Sequence, residues 1–345
     1  MSTKMPTAPP PTVPFSGDWR SIVAPVEPFL DAVADYLRSQ VETFDPEILE
    51  YARYALTSQG KQIRPALVAL SGSETSPSSE DLVKVAAVIE MVHLATLVHD
   101  DVMDHAELRR KRPTLAANWG NQISVLLGDT LFAHALKLAA SFPTTEICRS
   151  VAHASKTVCS GEILQTHRIL KFDMSREEYF KILGMKTAEF FALSCDLGSH
   201  LSGGEEVERQ LLRKYGYHLG VAYQVYDDCV DVFSSDKTAG KSTQVDLAGG
   251  KITLPTIVLM ERATDEEKAT IRGWARDWSR VDLDHWNRLL DQYEVQKECE
   301  MVIQNWLEKA RSCLLETGKA DAEGPHSPLL AVIQFLELQT KALNG

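Results

Sequence analysis

Two aspartate-rich hexapeptides carry residue types and spacing that suit metal binding: HDDVMD at residues 99–104 and YDDCVD at residues 226–231. Each is a D-D-x-x-D box whose outer aspartates are four residues apart, Asp100 with Asp104 and Asp227 with Asp231. On a helix this spacing places both carboxylates on one face, where like charges are destabilising unless something compensates them. Carboxylate oxygens are the ligands of hard divalent cations. The two boxes therefore predict sites for several Mg²⁺ ions with a polyphosphate between them.

Basic residues suited to a diphosphate stand close to these boxes in the sequence. Residues 60–65 read GKQIRP, and residues 109–113 read RRKRP and begin five residues after Asp104. Lysine and arginine donate charge-assisted hydrogen bonds to phosphate, and arginine can donate two at once. Single lysines recur at Lys186, Lys241 and Lys251. Lys186 alone is better explained as a surface residue, whereas a basic run directly after a metal box favours diphosphate binding.

The elements that must position these motifs are helical nearly throughout, from about Asp18 onward. Ser175 and Thr264 each precede a glutamate by three residues, which is the capping-box form that begins a helix. Alternating β-branched runs between tight turns are scarce. We therefore predict an all-α fold, with a disordered proline-rich tail at residues 1–17 and a single large helical domain at residues 18–345.

Composition places the chain among globular proteins and excludes some classes of partner. It has 345 residues, 44% of them hydrophobic and 24% charged. The net charge of −12 argues against nucleic acid as a partner. The six cysteines lack zinc-ligand spacing and C-x-x-C pairs, so we expect free thiols and a cytoplasmic location. We recognise no signal peptide and no apolar span of 18 residues, and we predict no transmembrane segment.

The motifs together resemble the trans-isoprenyl diphosphate synthases, also called the polyprenyl synthetase family, over about residues 25–265. Their number and their common order along the chain make chance agreement negligible. In order they are Gly60-Lys61-x-x-Arg64-Pro65, His93, the first box, Arg109-Arg110, Gly128-Asp129, Gly161-Glu162 with Gln165, Lys186-Thr187-Ala188, Gln224, the second box, and the segment from Gly240 to Pro255.

The resemblance implies an all-α fold whose central helices surround a deep cavity, and it implies a homodimer. It also implies the head-to-tail condensation of an allylic prenyl diphosphate with isopentenyl diphosphate. We expect Mg²⁺ as the cofactor, with three ions when substrate is bound. The allylic C–O bond must ionise, so cations aimed at the departing diphosphate stabilise the developing negative charge.

Each site residue then receives an expected role. Asp100, Asp104 and Asp227 are the first choices as metal ligands, with Asp231 behind them, while Asp101 and Asp228 lie about 100° around the helix. The remaining roles follow the resemblance. The allylic diphosphate would be held by Arg109, Lys186 and Lys241, with help from Lys251. Isopentenyl diphosphate would be bound by Lys61, Arg64, His93 and Arg110. Oxygen lone pairs for the carbocation would come from Thr187 and Gln224.

Product length is predicted from the helix that ends in the first box. Ala95 and Thr96 lie one turn before Asp100, where bulky aromatic residues stop growth at 15 or 20 carbons in this family. Both side chains are small, so we expect a product longer than 20 carbons, with Phe132 as a deeper floor. Two positions depart from the family pattern, Lys111 at a common glycine and Ser242 at a common proline.

Four other interpretations stay open at this point. A short-chain farnesyl or geranylgeranyl diphosphate synthase would use the same motifs. A class I terpene cyclase usually has a different second box, and a non-catalytic partner subunit typically loses one box. A di-iron bundle is suggested by the E-x-x-H spacing of Glu90 and His93, but the other match, at Glu323, falls in a turn.

Overall fold

The computed structural model describes residues 18–57, 60–72, 80–234, 245–320 and 324–343. The predicted tail at 1–17, Lys241 and Ser242 lie outside the described residues.

The all-α prediction is confirmed. The α-helices are α1 Trp19–Val23, α2 Glu27–Val41, α3 Leu49–Leu56, α4 Ile63–Leu70, α5 Glu80–Met103, α6 Leu115–Ala139, α7 Glu146–His167, α8 Arg176–Leu183, α9 Glu189–Leu201, α10 Glu206–Phe233, α11 Val245–Ala248, α12 Leu254–Arg262, α13 Asp265–Arg276, α14 Leu283–Gln292, α15 Val295–Glu316 and α16 Ser327–Ala342.

Short irregular turns complete the described chain. Three 3₁₀ turns lie at Ala24–Val26, Pro46–Ile48 and Trp278–Arg280, and a π-turn at Gly184–Ala188 joins α8 to α9. The described strands are β1 Leu108–Arg109 and β2 Arg112–Pro113, which pair antiparallel directly after the first box. Both predicted capping boxes are present, at the starts of α8 and α13.

The central helix is α5, which packs against α2, α4, α6 and α9. Its residues from Val85 to Val92 are almost all fully buried, which explains why its sequence is apolar on every side rather than along one stripe. The prediction that no apolar stretch reaches membrane-spanning length was wrong for this helix, which passes on length and composition. However, 72% of the apolar window is buried inside the protein, as in the core helix of a folded domain.

Close helix crossings at glycines bring the second box toward the core. A Cβ atom at Gly216 would lie 2.5 Å from the carbonyl oxygen of Phe191, and one at Gly220 would lie 2.6 Å from the Cα atom of Ala188. A Cβ atom at Gly198 in α9 would overlap the carbonyl oxygen of Val68 in α4. These glycines let α4, α9 and α10 approach with backbone almost touching backbone.

We predict that Gly198→Ala lowers the free energy of unfolding by about 1–3 kcal/mol, because the added methyl group forces α4 and α9 apart. Gly273→Ala is the matched control, since a Cβ atom at that helical position meets nothing within 4 Å. Alanine should raise the stability there by about 0.5–1 kcal/mol through its helix propensity. Urea unfolding followed by circular dichroism measures both. Equal effects of the two substitutions would contradict the close crossing.

Candidate active site

The first box forms the last turn of α5, and its aspartates divide between two directions. Asp101 is buried and accepts a 2.8 Å hydrogen bond from Nε of Arg109. Asp100 is half-buried and Asp104 is exposed. Burial raises the pKa of the Asp100 carboxyl, and the charge of Asp104 raises it further, against the lowering effect of Lys186. The outer pair therefore lies closer to solvent than the middle aspartate, which holds an arginine.

The second box, in the last turns of α10, repeats this division. Asp228 is buried and accepts hydrogen bonds from the Tyr179 hydroxyl at 2.6 Å and from Nε2 of Gln224 at 2.8 Å. Burial holds the pKa of Asp228 well above its ordinary value. Asp227 is exposed. The carboxylate of Asp231 accepts the backbone N–H groups of Val245 and Asp246, both at 3.1 Å, so it also anchors the start of α11.

Two lysines stand among these carboxylates. Nζ of Lys251 lies 2.7 Å from Oδ2 of Asp104, which ties the segment after the second box to the first box. Nζ of Lys186 lies 2.8 Å from Oε1 of Glu162 and 2.8 Å from Oε1 of Gln165. Although burial alone would lower the pKa of Lys186, the charges of Asp100 and Glu162 raise it overall. Lys186 is therefore held as a cation near the first box, and Lys251 is paired with Asp104.

Asp246 gives electrostatic evidence that the two boxes share one polar region. Burial and then the charge of Asp231 raise its pKa to about 6, while Lys251 and Lys186 oppose the shift and Asp104 adds to it. These charges come from the first box, the second box and the π-turn. A single carboxyl group is thus within electrostatic reach of all three.

Lys186 and Thr187 lie on the π-turn between α8 and α9. Such single-turn insertions are frequent at functional sites, because they turn side chains out of the ordinary helical register. The hydroxyl of Thr187 donates to Oε1 of Gln224 at 2.8 Å, and Gln224 in turn donates to Asp228. The structure therefore brings together the two residues expected beside the carbocation and connects them to the second box.

The residues expected to bind isopentenyl diphosphate form a separate basic cluster. Arg64 is partly buried with its guanidinium 5.2 Å from the ring centre of Phe191, and its buried Nε atom has no hydrogen-bond partner. Burial, followed by the charges of Arg64, Arg110 and Arg109, holds the pKa of His93 well below its usual range. His93 is therefore a neutral imidazole at neutral pH, able to donate one N–H group.

Arg110 completes the cluster from the β1–β2 hairpin. Its guanidinium lies directly against Gly60, where a Cβ atom would overlap it, so a larger residue there would displace the guanidinium from this position. The backbone of Arg110 (φ 51°) and Lys111 (φ 63°) is left-handed. Lys111 stands where the family commonly has glycine, which explains that preference, and a non-glycine residue in this conformation costs about 1–2 kcal/mol.

Several residues that hold this site together could not be assigned a role from the sequence motifs. Glu162 and Gln165 bind Lys186, Tyr179 binds Asp228, and Asp246 lies among the charges of both boxes. Glu90, noted only for its E-x-x-H spacing, is a buried countercharge to Arg64 and Arg110. The family motif at Gly161–Gln165 was the one available signal, and it did not reveal the partner of Glu162.

Among the described residues, no three His, Cys, Asp or Glu side chains converge as a metal-binding group. A di-iron centre needs such a set from the protein, so Glu90 and His93 lack the partners that the di-iron hypothesis requires. Mg²⁺ differs, because it is usually held by one or two carboxylates together with substrate phosphates and water. Paired carboxylates beside lysines that already carry the compensating positive charge fit this second arrangement.

The residues expected to set product length lie on helices α5 and α6. Ala95 is fully buried in α5, and the Thr96 hydroxyl donates to the carbonyl oxygen of His93 at 2.8 Å. Phe132 is a partly buried residue of α6 that packs on the core. Helices α5 and α6 pack along each other, so these three side chains belong to one helix pair.

Comparison with known proteins gives the family. The family model for polyprenyl synthetase matches residues 45–285, and the chain belongs to this family of trans-prenyltransferases. It is 32% identical to an octaprenyl diphosphate synthase from Escherichia coli over 241 residues, 70% of this chain and 73% of the relative. It is also 32% identical to a short chain isoprenyl diphosphate synthase from Methanothermobacter thermautotrophicus over 237 residues, 67% of this chain and 73% of that one.

A solved structure has the same fold. The polyprenyl synthase from Caulobacter crescentus, complexed with calcium and isoprenyl diphosphate, superposes with a TM-score of 0.83 at 27% identity, covering 94% of this chain and 98% of the other. The fold and enzyme class expected from the sequence are therefore confirmed.

We predict that the Mg²⁺ concentration required for half-maximal activity rises as the pH is lowered toward the raised pKa of the Asp100 carboxyl. The raised pKa of Asp100 keeps its carboxyl protonated to higher pH, and a proton must leave before a metal binds. The increase should reach at most about tenfold per pH unit for each proton displaced. Initial rates across a Mg²⁺ series at each pH measure it. An unchanged Mg²⁺ requirement would contradict metal binding at this carboxyl.

Proposed function

We propose that this prenyltransferase condenses an allylic prenyl diphosphate with isopentenyl diphosphate between the two aspartate boxes. The single observation that supports this most is the 2.7 Å ion pair of Lys251 with Asp104, since it joins the chain after the second box to the first. The Caulobacter crescentus relative is described in complex with calcium and isoprenyl diphosphate. By analogy, a divalent cation and a prenyl diphosphate belong at the same boxes here.

The donors of the site are oriented so that some N–H groups are left for a diphosphate. Arg109 uses Nε for Asp101, which leaves its two terminal nitrogens for phosphate oxygens. Lys186 has three N–H donors, and Glu162 and Gln165 accept two of them. We infer that these partners hold the two cations in place for the allylic diphosphate, with Lys251 beside them. Lys241 keeps the same proposed role, though it lies outside the described residues.

The reaction begins when the allylic C–O bond breaks and its electron pair leaves with the diphosphate. Mg²⁺, with three ions proposed and Asp100, Asp104, Asp227 and Asp231 as ligands, supplies Lewis-acid stabilisation of that charge when bound. The carbonyl oxygen of Gln224 and the hydroxyl oxygen of Thr187 offer lone pairs near the carbocation. The double bond of isopentenyl diphosphate then attacks the cation, and the released diphosphate takes the proton lost from the adduct.

We propose that isopentenyl diphosphate binds to Lys61, Arg64, His93 and Arg110. Arg64 and Arg110 carry the fork-shaped donors that hold phosphate oxygens in pairs. The buried Nε atom of Arg64 lacks a partner, which supports a ligand in this cluster. Gly60 gives Arg110 the room to reach it. The two diphosphates would then bind on either side of the β1–β2 hairpin that carries Arg109 and Arg110.

We also propose the domain organisation and the cellular location of the protein. We propose that residues 18–345 form one domain, because a continuous core runs from Ile22 to Leu336. We propose a cytoplasmic location, since all six cysteines are free thiols, as in a reducing compartment.

We predict that Asp100→Ala or Asp227→Ala lowers turnover at least about a hundredfold, because each removes a ligand for the cation that stabilises the leaving group. Helix content should stay near normal. Asp291→Ala is the control, since Asp291 is an exposed aspartate of α14 away from both boxes. Radiolabelled isopentenyl diphosphate incorporation measures turnover. Wild-type activity that survives EDTA, or full activity of either box variant, would contradict the metal assignment.

A homodimer is proposed from apolar side chains left in solvent on two neighbouring helices. Val125 and Leu126 of α6 are 41% and 56% exposed, and Ile163 of α7 is 59% exposed. A twofold partner would cover such a face. We predict a particle of twice the chain mass by light scattering at micromolar protein, and Leu126→Glu should shift it toward monomer. A wild-type monomer with full activity would contradict the proposal.

We propose a product longer than 20 carbons, because the small side chains of Ala95 and Thr96 leave the way open below the first box. Ala95→Phe should shorten the product by blocking the proposed cavity, and Phe132→Ala should lengthen it. Ala269→Phe adds the same ring at an exposed position of α13 and should leave the product unchanged. Chromatography of the products with excess isopentenyl diphosphate decides. A wild-type product of 15 carbons would overturn the long-chain proposal in favour of a short-chain synthase.

A further inference from the structure

A surface pocket of about 360 Å³ lies on the first half of α10, away from both boxes. Its lining residues recur at helical spacing along one stripe of α10, with one residue from α9. They are Gln210, Arg213, Lys214, Tyr217, His218 and Ala192. His218 stands nine residues before Asp227, which corresponds to roughly 14 Å along the helix axis. The pocket is therefore separate from the proposed active site, although the same helix carries both.

The charge of the pocket is positive in a chain whose net charge is −12. Arg213 is neutralised, since it pairs with Glu189 at 2.6 Å and with Asp196 at 3.6 Å. In the part of the chain that the structure describes, Lys214 and Lys309 form no ion pair. After burial, the charges of Lys309 and Lys214 lower the pKa of His218, so both lysines stand close to its ring. One lining cation, Lys214, therefore lies at this pocket without an ion pair to any described residue, and Lys309 lies beside His218 but outside the lining residues.

Tyr217 and His218 are the aromatic residues that line the pocket, and Trp306 and Lys309 pack behind His218 outside the lining residues. The ring of His218 lies 5.5 Å from the ring of Trp306, and Nζ of Lys309 lies 4.0 Å from the centre of the same Trp306 ring. The Nδ1 atom of His218 is buried and has no hydrogen-bond partner. An unsatisfied buried polar atom is costly, so a ligand that reaches it gains a hydrogen bond that the protein does not supply.

We propose that this pocket binds a small amphipathic anion, with an anionic group at Lys214 and an aromatic or apolar body against Tyr217, Ala192 and His218. The volume lies within the range of pockets for small organic ligands, about 300–1,000 Å³. A simple inorganic anion would satisfy the lysine but leave the aromatic surfaces in water. An uncharged ring would leave the lysine unpaired. Both parts of the ligand are needed for tight binding.

The pocket is connected to the π-turn through Tyr217. Its hydroxyl lies directly against Gly184, the first residue of that turn, so that a Cβ atom there would overlap it. The π-turn carries Lys186, which is engaged with Glu162 at 2.8 Å in this arrangement. A ligand packed on Tyr217 presses its hydroxyl against Gly184 and so displaces Lys186 from the position in which Glu162 and Gln165 hold it for the allylic diphosphate. This coupling rests on the role proposed for Lys186, whereas binding to the pocket does not.

The binding test uses the full-length protein and the fluorescent aromatic anion 8-anilino-1-naphthalenesulfonate. The dissociation constant should rise at least about tenfold in Lys214→Glu, through charge repulsion. It should rise similarly in Gln210→Trp, which fills the pocket from its exposed side. Lys341→Glu, on the exposed part of α16, is the matched control and should bind like the wild type. Equal affinity in the wild type and both pocket variants would overturn the site.

Competition identifies which part of the ligand matters. Neither naphthalene nor inorganic phosphate should displace the probe at concentrations where naphthalene sulfonate does. Displacement by phosphate alone would overturn the amphipathic class in favour of a simple anion site, and displacement by naphthalene alone would do so in favour of an uncharged apolar ligand.

The coupling is tested by activity with the pocket filled. Saturating probe should raise the KM for the allylic diphosphate about fivefold in the wild type and in Lys341→Glu, but not in Lys214→Glu. Reciprocally, the allylic diphosphate should weaken probe binding by the factor by which the probe raises its dissociation constant, which equals the change in KM where chemistry is slower than substrate release. Probe binding with an unchanged KM would overturn the coupling and leave the pocket as a binding site. Inactivity of the wild-type protein without any probe would instead contradict the proposed function.

Discussion

The repulsion among clustered carboxylates is the constraint on which the rest of this structure depends. Asp100 and Asp104 lie on one face of α5, and burial raises the cost of ionising Asp100. The fold compensates with Lys251 on Asp104 and with Lys186 close to Asp100. Lys251 lies in the segment after α10, and Lys186 lies in the π-turn before α9. Both segments must therefore lie close to the end of α5. The packing of the central helices brings these segments together.

Spacing in the sequence was sufficient to separate the middle aspartates from the outer pair, but it did not predict that the middle aspartates are buried. Asp101 and Asp228 are one position from the outer aspartates, and the structure buries both of them against Arg109 and Tyr179. Helical periodicity contains this information, because a step of one residue turns the side chain by about 100°. The all-α fold and the two capping boxes were predictable for the same reason, since each depends on residues close together in the chain.

Partners distant in sequence could not be predicted in the same way. Glu162 meets Lys186 across 24 residues, and Tyr179 meets Asp228 across 49. Nothing in local spacing specifies such pairs, because they depend on how three helices cross. The membrane-spanning composition of α5 was also missed, since a helix surrounded by protein and one surrounded by lipid have the same apolar content. Burial in the folded molecule distinguishes them.

The hydrogen bonds of the Asp231 carboxylate affect both boxes. Its carboxylate holds the backbone of Val245 and Asp246, and Lys251, five residues further on, holds Asp104. These contacts connect the second box, through α11, to the first box. A ligand that draws Asp231 away from α11 also changes the position of Lys251 and so the charge beside Asp104. The two boxes are then connected through the backbone of this segment and do not act as independent sites.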